Sequence, residues 1–261
     1  MAETLSTVQL AEFETEGYLV LEGLLESEEC DLLRAEVDHL ARRRAAGEQP
    51  MIVSYPRMAL LTSHPPMMTG VQQLMGGEFA MHHIHASRHD AGQEGVPWHQ
   101  DYEQYPQTNR SHLMVHVFYY LNGLNGEVGD LLLVPRSQHS VIARNALHIF
   151  GSEDLPGSLT VDRLAPGSAV IVHSALFHAR RAKPGGAGQP RYFIDISYCR
   201  NGILWPGYPR MQQINAKALE MGADRGGRYA FLYDSSHFFE QAPRRERLQR
   251  AAGSLVLELG E

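Results

Sequence analysis

A series of short β-strand-like segments, separated by Gly, Pro, Asn and Asp, occupies the middle of the chain and limits the folds open to it. The segment HLMVHVFYYL alternates, so that Met114, His116, Phe118 and Tyr120 share one face, and RYFIDISY at 191–198 alternates in the same way. The predicted strands lie at about 79–88, 96–99, 112–121, 130–134, 158–162, 168–173 and 191–199. Several short strands with turn residues between them are typical of a sandwich or barrel.

Helical patterns lie on both sides of these strands. The segments predicted before the strands are a helix from the Ser6–Gln9 capping box to Gly17, a strand and turn at 18–25, a helix from Ser27 to Gly47, a loop at 48–64 and a helix near 66–75. Helix and loop return beyond about residue 210. No repeat or linker interrupts the pattern, so we expect one domain over 1–261: helices at about 6–76, a β-core at about 79–200 and a helix and loop segment at about 201–261. The predicted core is a β-barrel of jelly-roll type with helices packed outside.

Charge and composition exclude some classes of protein. The net charge is −7 and the pI is near 6.0, whereas a nucleic-acid-binding protein needs a basic surface. The arginine-rich stretches at 42–44 and 244–250 are interpreted as solvated helix faces. The chain has no apolar run of about 18 residues, no signal-peptide pattern and two cysteines, Cys30 and Cys199, without a disulfide pattern. We therefore expect a cytoplasmic protein that binds neither nucleic acid nor membrane.

The stretch PWHQDYEQYP at 97–106 contains a histidine and a carboxylate two positions apart, His99 and Asp101. Residues i and i+2 of a strand share a face, so these two side chains can hold a metal ion from two corners. They can equally be a hydrogen-bonded pair at a strand end. Trp98 and Tyr102 flank the motif, and we interpret them as lining a substrate pocket, although packing is the alternative.

A third metal ligand is expected from a distant strand. Two histidines and one carboxylate, with three positions left open, suit a non-haem Fe(II) that also binds O₂ and an organic ligand. The segment at 168–198 offers His173 and His178, and Arg191 follows thirteen residues after His178 at the start of an alternating strand. An arginine can bind a carboxylate through two parallel hydrogen bonds. These are the parts needed by an enzyme that binds iron and 2-oxoglutarate, with Arg191 on the far carboxylate.

The motifs FETEGYLVLEGLLESEE, WHQD, HVFYYLNGLN, GDLLLVPRSQH and VHSALFH…PR resemble the phytanoyl-CoA dioxygenase-like family of Fe(II)/2-oxoglutarate oxygenases, over about residues 10–200. The resemblance implies a double-stranded β-helix, a jelly-roll or cupin-like core. It implies that His178, rather than His173, completes an iron site with His99 and Asp101. Halogenating relatives replace the carboxylate by a small residue, so Asp101 disfavours halogenation.

The resemblance also implies a polar contact to 2-oxoglutarate or substrate from the strand at 80–88. His83, His85 and Arg88 are the candidates, and His85 is our choice. Asp195 shares a strand face with Arg191, and it either binds a substrate cation or neutralises a neighbouring arginine. The sequence departs from the family at two places. Arg136 replaces a turn glycine, and Ala179-Arg180 replaces a Gly-Ser pair whose serine touches 2-oxoglutarate, which makes Arg180 or Arg181 an alternative anion-binding residue.

The function that these residues predict is Fe(II)- and 2-oxoglutarate-dependent oxidation of a C–H bond by O₂, with release of succinate and CO₂. The substrate is expected to be a small polar metabolite or natural product, since an acyl-CoA would need a basic patch for its phosphates. Hydroxylation, desaturation and cyclisation use the same ligands, and the oligomeric state stays open. The alternative is a non-catalytic metal-binding barrel or a cupin-like metal-dependent isomerase, neither of which needs Arg191.

Overall fold

The computed structural model describes residues 4–90, 92–103, 110–182 and 190–240. The arginine-rich segment at 244–250 and the end of the predicted domain lie outside these residues. The helices are α1 (Thr7–Glu16), α2 (Ser27–Ala45), α3 (Pro56–Leu61), α4 (Pro65–Met75) and α5 (Met211–Glu220). Short 3₁₀ helices lie at Ile52–Ser54, Ser137–His139, His148–Phe150, Ala230–Tyr233 and Ser235–His237. No helix in the described ranges is long and apolar enough to span a bilayer.

The strands include all seven that the sequence predicts. They are β1 (Tyr18–Leu21), β2 (Phe79–His89), β3 (Val96–His99), β4 (Met114–Tyr120), β5 (Leu124–Asn125), β6 (Asp130–Leu133), β7 (Leu159–Val161), β8 (Arg163–Leu164), β9 (Ser168–His173), β10 (His178–Arg181), β11 (Arg191–Arg200), β12 (Trp205–Gly207) and β13 (Phe238–Glu240). Strand β10 and the short strands β5, β8, β12 and β13 are not among those predicted. The loop predicted at 48–64 is wrong, because it contains α3, which Pro56 opens at its first position.

Two antiparallel sheets form the core. One has the strand order β1-β9-β4-β11-β2 and the other β3-β10-β6-β7. The expected jelly-roll core is confirmed as two facing sheets. Within the described residues these sheets do not close into a barrel. Non-consecutive strands lie side by side, and residues far apart in the sequence, such as 99 and 178, therefore become neighbours.

The alternation of β4 separates the two faces of the larger sheet. Phe118 and Tyr120 pack between the sheets with residues of β6 and β9. Val115, Val117 and Tyr119 lie on the opposite face, in the same cluster as the buried residues of α2. The helices thus cover one face, which leaves the space between the sheets for the functional residues. The capping box also forms as predicted, since the Ser6 Oγ accepts the Gln9 N–H at 3.2 Å and the Gln9 side chain accepts the Ser6 N–H at 2.9 Å.

The packing of α2 on the sheet gives a prediction for stability. Leu33 of this helix is fully buried, whereas the neighbouring Leu32 is 37% exposed. Leu33→Ala should lower the free energy of unfolding by about 2–5 kcal/mol, because it removes apolar contacts and leaves a cavity. Leu32→Ala, the matched control, should change it by no more than about 0.5 kcal/mol. Urea unfolding of both variants measures the difference, and equal losses would contradict this packing.

Candidate metal centre

Strand pairing brings two distant histidines together. His99 is the last residue of β3 and His178 is the first residue of β10, and the antiparallel register pairs them directly. Their ring centroids are 4.3 Å apart. Both side chains line a cavity of about 320 Å³ between the sheets.

Asp101 completes the group two residues beyond β3. Its backbone N–H donates to the Ser174 carbonyl oxygen at 2.6 Å, which fixes the chain where it leaves the strand. The Asp101 Oδ2 lies 3.2 Å from the His178 Nε2, and its Oδ1 lies 3.7 Å from the His99 Nε2. One donor atom from each of the three residues lies within 4.8 Å of the others. These two imidazoles and one carboxylate can therefore bind a single metal ion, and they are the three residues that the sequence predicts.

Backbone hydrogen bonds set the tautomer of both histidines. The His99 Nδ1 lies 2.8 Å from the Pro97 carbonyl oxygen, and the His178 Nδ1 lies 3.1 Å from that of Leu176. A carbonyl oxygen only accepts, so each Nδ1 carries a proton, and each Nε2 is the ring nitrogen left to face Asp101 and a metal ion. Burial, together with the charge of His178, lowers the pKa of His99 to about 4. At neutral pH His99 is accordingly in the neutral form that binds metals.

Arg144, which is not among the site residues that the sequence predicts, orients the carboxylate. Its Nη2 donates to the Asp101 Oδ1 at 2.7 Å, and its Nη1 donates to the Glu103 Oε1 at 3.3 Å. Burial on its own raises the pKa of Asp101, but the hydrogen bond and the charge of His178 outweigh it and keep that pKa well below its usual range. Asp101 is thus ionised, and one of its oxygens is held by Arg144. Arg144 lies in a stretch with no helix or strand pattern, which explains why no sequence signal marked it.

Arg191 lines the same cavity and is only 3% exposed. Its guanidinium carbon lies 5.1 Å from the ring centre of Tyr120 and 4.8 Å from that of Phe193. Its Nη2 donates to the Tyr120 hydroxyl at 3.3 Å. No carboxylate of the described residues pairs with it. A buried guanidinium without a carboxylate partner is suited to binding an anionic ligand.

Asp195 and His85 occupy another part of the cavity wall. Asp195 accepts from the His116 Nδ1 at 2.8 and 3.0 Å, and the His85 Nδ1 lies 3.8 Å from its Oδ2. Burial lowers the pKa of His116 and raises that of Asp195, but the interaction between the two reverses both shifts, so the pair is ionic. His116 therefore neutralises Asp195. The strand register sets His85 beside Asp195 and His89 beside Arg191, so His89 is nearer to Arg191 along the strand.

His83, His116 and Asp195 form a second group of three residues that can hold a metal ion, and all three are buried. Hydrogen bonds already engage the Nδ1 of both histidines of this group. The His83 Nδ1 lies 2.9 Å from the Ser197 hydroxyl, and the His116 Nδ1 is taken by Asp195, whereas the His116 Nε2 has no partner among the described residues. The first group differs because its residues line the cavity, where the Nε2 atoms of both histidines face the Asp101 carboxylate.

Trp98 and Tyr102, the predicted pocket residues, are not among the side chains that line the cavity. Trp98 is fully buried, and its Nε1 donates to the Glu153 carbonyl oxygen at 2.8 Å. Successive strand residues face opposite sides, so Trp98 points away from the side occupied by His99. Tyr102 is also fully buried, and its ring lies 5.7 Å from that of Trp205. Both residues pack, as their alternative interpretation holds.

His173 lies outside the metal-binding group. Its ring is stacked between those of Phe13, at 6.4 Å, and Tyr102, at 6.3 Å. Its Nδ1 accepts the N–H of Ala175 at 3.0 Å. These contacts give His173 a packing role, in contrast to that of His178 five residues later.

Two facing sheets that enclose a group of two histidines and one carboxylate are typical of a class of metal-dependent oxygenases. Residues 13–184 match the sequence profile of the phytanoyl-CoA dioxygenase (PhyH) family. This match spans more than half of the chain, so the protein belongs to that family.

Individual relatives are more distant. The ectoine dioxygenases of Bordetella parapertussis and Bordetella bronchiseptica are 28% identical over 162 residues, which cover 54% of this chain and 52% of theirs. The chain thus matches about half the length of these curated relatives. HygX from Streptomyces hygroscopicus, solved with nickel and 2-oxoglutarate bound, has a TM-score of 0.62 at 18% identity, covering 77% of this chain and 89% of HygX. EctD from S. alaskensis, solved with 2-oxoglutarate and 5-hydroxyectoine, also has a TM-score of 0.62 at 18% identity, covering 75% and 76% of the two chains. These likenesses support the double-stranded β-helix fold.

The two neighbouring histidines allow a matched test of the metal site. His178→Ala should abolish stoichiometric binding of Fe(II), because it removes one of three ligands. His173→Ala should keep it, because that ring packs between Phe13 and Tyr102. Anaerobic Fe(II) titration, with circular dichroism to establish folding, measures both. Loss of iron from a folded His173→Ala together with retention in His178→Ala would reverse the assignment.

Proposed function

We propose that the protein is an Fe(II)- and 2-oxoglutarate-dependent oxygenase that oxidises a C–H bond of a small molecule. The observation that carries this proposal is a single cavity that contains both the metal-binding group and the buried Arg191. A non-catalytic metal site or a metal-dependent isomerase has no need of an unpaired arginine beside the metal. Membership of the phytanoyl-CoA dioxygenase family supports the same function.

His99, Asp101 and His178 are the residues that would hold the iron. Their two Nε2 atoms and a carboxylate oxygen would bind the ion, and the cavity beside them would leave room for further ligands. Iron bound there supplies the redox chemistry, in which O₂ converts 2-oxoglutarate to succinate and CO₂ and the substrate is oxidised. The protein's own task is to keep His99 neutral and Asp101 ionised and to hold all three side chains in place before any ligand arrives. The hydrogen bonds from Arg144 and to the Pro97 and Leu176 carbonyls serve this task.

Arg191 would bind the distal carboxylate of 2-oxoglutarate. Its guanidinium can offer two parallel N–H donors, and the aromatic rings of Tyr120 and Phe193 exclude water from it. In such a dry site a charge-assisted hydrogen bond is stronger than it is in water. Arg191 thereby orients the cosubstrate, so that its 2-oxo acid end reaches the metal. His85 lines the cavity next to Asp195, and our proposal for it remains a contact to cosubstrate or substrate.

The substrate is proposed to be a small polar molecule that binds beside Asp195 and His85. These side chains provide both hydrogen-bond donors and acceptors. The ectoine dioxygenases named above support a small polar substrate, and HygX has also been solved with hygromycin B bound. The acidic balance of the chain disfavours a multiply phosphorylated substrate.

The activity itself gives a direct test. Purified protein supplied with Fe(II), O₂ and 2-oxoglutarate should form succinate slowly even without its substrate. Asp101→Ala should reduce this rate to the level of free iron, because the variant lacks the anionic ligand. Chromatographic measurement of succinate, with and without iron and with a panel of small polar compounds, is the assay. Absence of succinate under all of these conditions, in protein that has bound iron, would contradict an oxygenase.

The role of Arg191 gives a second test. Arg191→Leu should raise the dissociation constant of 2-oxoglutarate about a hundredfold or more, since removing one partner of a desolvated charge pair costs about 3–5 kcal/mol and about 1.4 kcal/mol corresponds to a factor of ten. Iron affinity should stay nearly unchanged, and Arg191→Lys should restore only part of the 2-oxoglutarate affinity. Titration of the anaerobic Fe(II) protein, followed by its metal-to-ligand charge-transfer absorption, measures these constants.

Arg88→Leu is the matched control for this experiment. Arg88 is the last residue but one of β2, the strand next to β11, and it pairs at 2.9 Å with both Asp38 and Asp90 instead of lining the cavity. Its replacement should leave the binding of 2-oxoglutarate within about twofold, as is usual for a surface substitution. If the Arg191→Leu variant binds 2-oxoglutarate as tightly as the parent protein does, the proposed role of Arg191 is refuted.

A further inference from the structure

A second arginine lines the same cavity. Arg180 lies in β10, two residues after His178, whereas Arg191 lies in β11 of the opposite sheet. The two guanidinium groups therefore enter the space between the sheets from two sides. His89, the cross-strand neighbour of Arg191, lines this part of the cavity as well.

All three side chains have a buried nitrogen without a hydrogen-bond partner in the described part of the chain. These nitrogens are the Nε of Arg180, the Nε of Arg191 and the Nδ1 of His89. The partners that the two arginines do have are neutral, since Arg180 donates to the Glu94 carbonyl oxygen and Arg191 to the Tyr120 hydroxyl. Buried donors are rarely left without acceptors. A ligand with several acceptor oxygens would satisfy this group.

The two positive charges are close enough to act on the same neighbour. After burial, the charges of Arg180 and Arg191 are the largest causes that lower the pKa of His89, to about 3. His89 is consequently neutral at neutral pH and can donate one hydrogen bond without adding a third charge. In the described ranges no carboxylate pairs with either arginine.

Arg181 demonstrates that acidic partners are available in this region. It is the next residue of the same strand, and it pairs with Asp154 and, at 3.8 Å, with Asp130. It does not line the cavity. The two neighbouring arginines thus differ in that Arg181 is neutralised by the protein and Arg180 is not.

We propose that Arg180 and Arg191, assisted by His89, form a single anion-binding site with two positive charges. On the proposed function, from which this inference follows, Arg180 is a second cation for the distal carboxylate of 2-oxoglutarate. One carboxylate neutralises only half of this charge. The site should therefore tolerate, and electrostatically favour, a ligand whose terminal group carries two negative charges.

The test compares two ligands that differ only at that terminal group. They are 2-oxoglutarate and its phosphonate analogue, in which a phosphonate replaces the distal carboxylate. Both keep the 2-oxo acid, so their binding to the metal is the same, and at pH 8 the phosphonate is doubly ionised. Dissociation constants are measured by calorimetry on the Ni(II)-loaded protein, which keeps turnover out of the readout. The variants are Arg180→Gln and, as the matched control with the same loss of charge, Arg181→Gln.

We expect Arg180→Gln to weaken 2-oxoglutarate about tenfold or more, as the loss of a hydrogen bond to a charged group implies. It should weaken the phosphonate further, so that the ratio of the two constants shifts toward 2-oxoglutarate. Arg181→Gln should leave both constants within about twofold. Arg180→Lys should recover part of the loss, which would separate the effect of the charge from a disturbance of the strand.

The inference is overturned if Arg180→Gln binds both ligands like the parent, or if Arg181→Gln weakens them equally. If Arg180→Gln binds both ligands like the parent while Arg191→Leu still weakens 2-oxoglutarate, the proposed function stands and only the role of Arg180 is refuted. If the parent protein binds Ni(II) but neither ligand, the proposed function itself fails.

Discussion

The antiparallel pairing of β3 with β10 is the constraint on which the site depends. It sets His99 against His178, and a slip of one residue would turn one of the two rings to the other face of the sheet. The contact at the far end of this pair is close, because a Cβ added to Gly95 would lie 2.4 Å from the Arg180 carbonyl oxygen. Only glycine allows this approach without a shift of the backbone. The hydrogen bond from the Asp101 N–H to the Ser174 carbonyl oxygen then fixes the backbone that positions the Asp101 carboxylate next to the two histidines.

Electrostatic balance differs between the two sides of the cavity. Asp195 is buried but has its counter-charge in His116, at 2.8 Å. Arg191 is buried among Tyr120 and Phe193 with no such counter-charge from the described residues. Burying an unpaired ion is costly, so this charge weakens the folded protein until an anion binds. A ligand with one anionic end therefore binds most favourably in the orientation that sets this end against Arg191.

The sequence was sufficient for the features that follow from short-range rules. Period-two alternation located β4 and β11 because the two faces of each strand pack against different layers, and the spacing of the motif placed His99 and Asp101 together. The same alternation also implies that Trp98 faces away from His99, although the two residues are adjacent in the sequence. Strand β10, with the sequence HARR, has no hydrophobic alternation and was missed. Arg144 reaches Asp101 only through tertiary folding, and no local pattern reports such a contact.

One strand supplies three different environments along the cavity. Arg191, Phe193 and Asp195 occupy alternate positions of β11 and line the cavity in that order. At about 3.4 Å per residue the first and the last of them are separated by about 14 Å along the strand. A five-carbon dicarboxylate that is anchored at Arg191 and turned toward His99 and His178 does not extend over that whole length. The remaining wall, which includes Asp195 and His85, is then the part of the cavity left for the proposed substrate, at a different level of the same sheet.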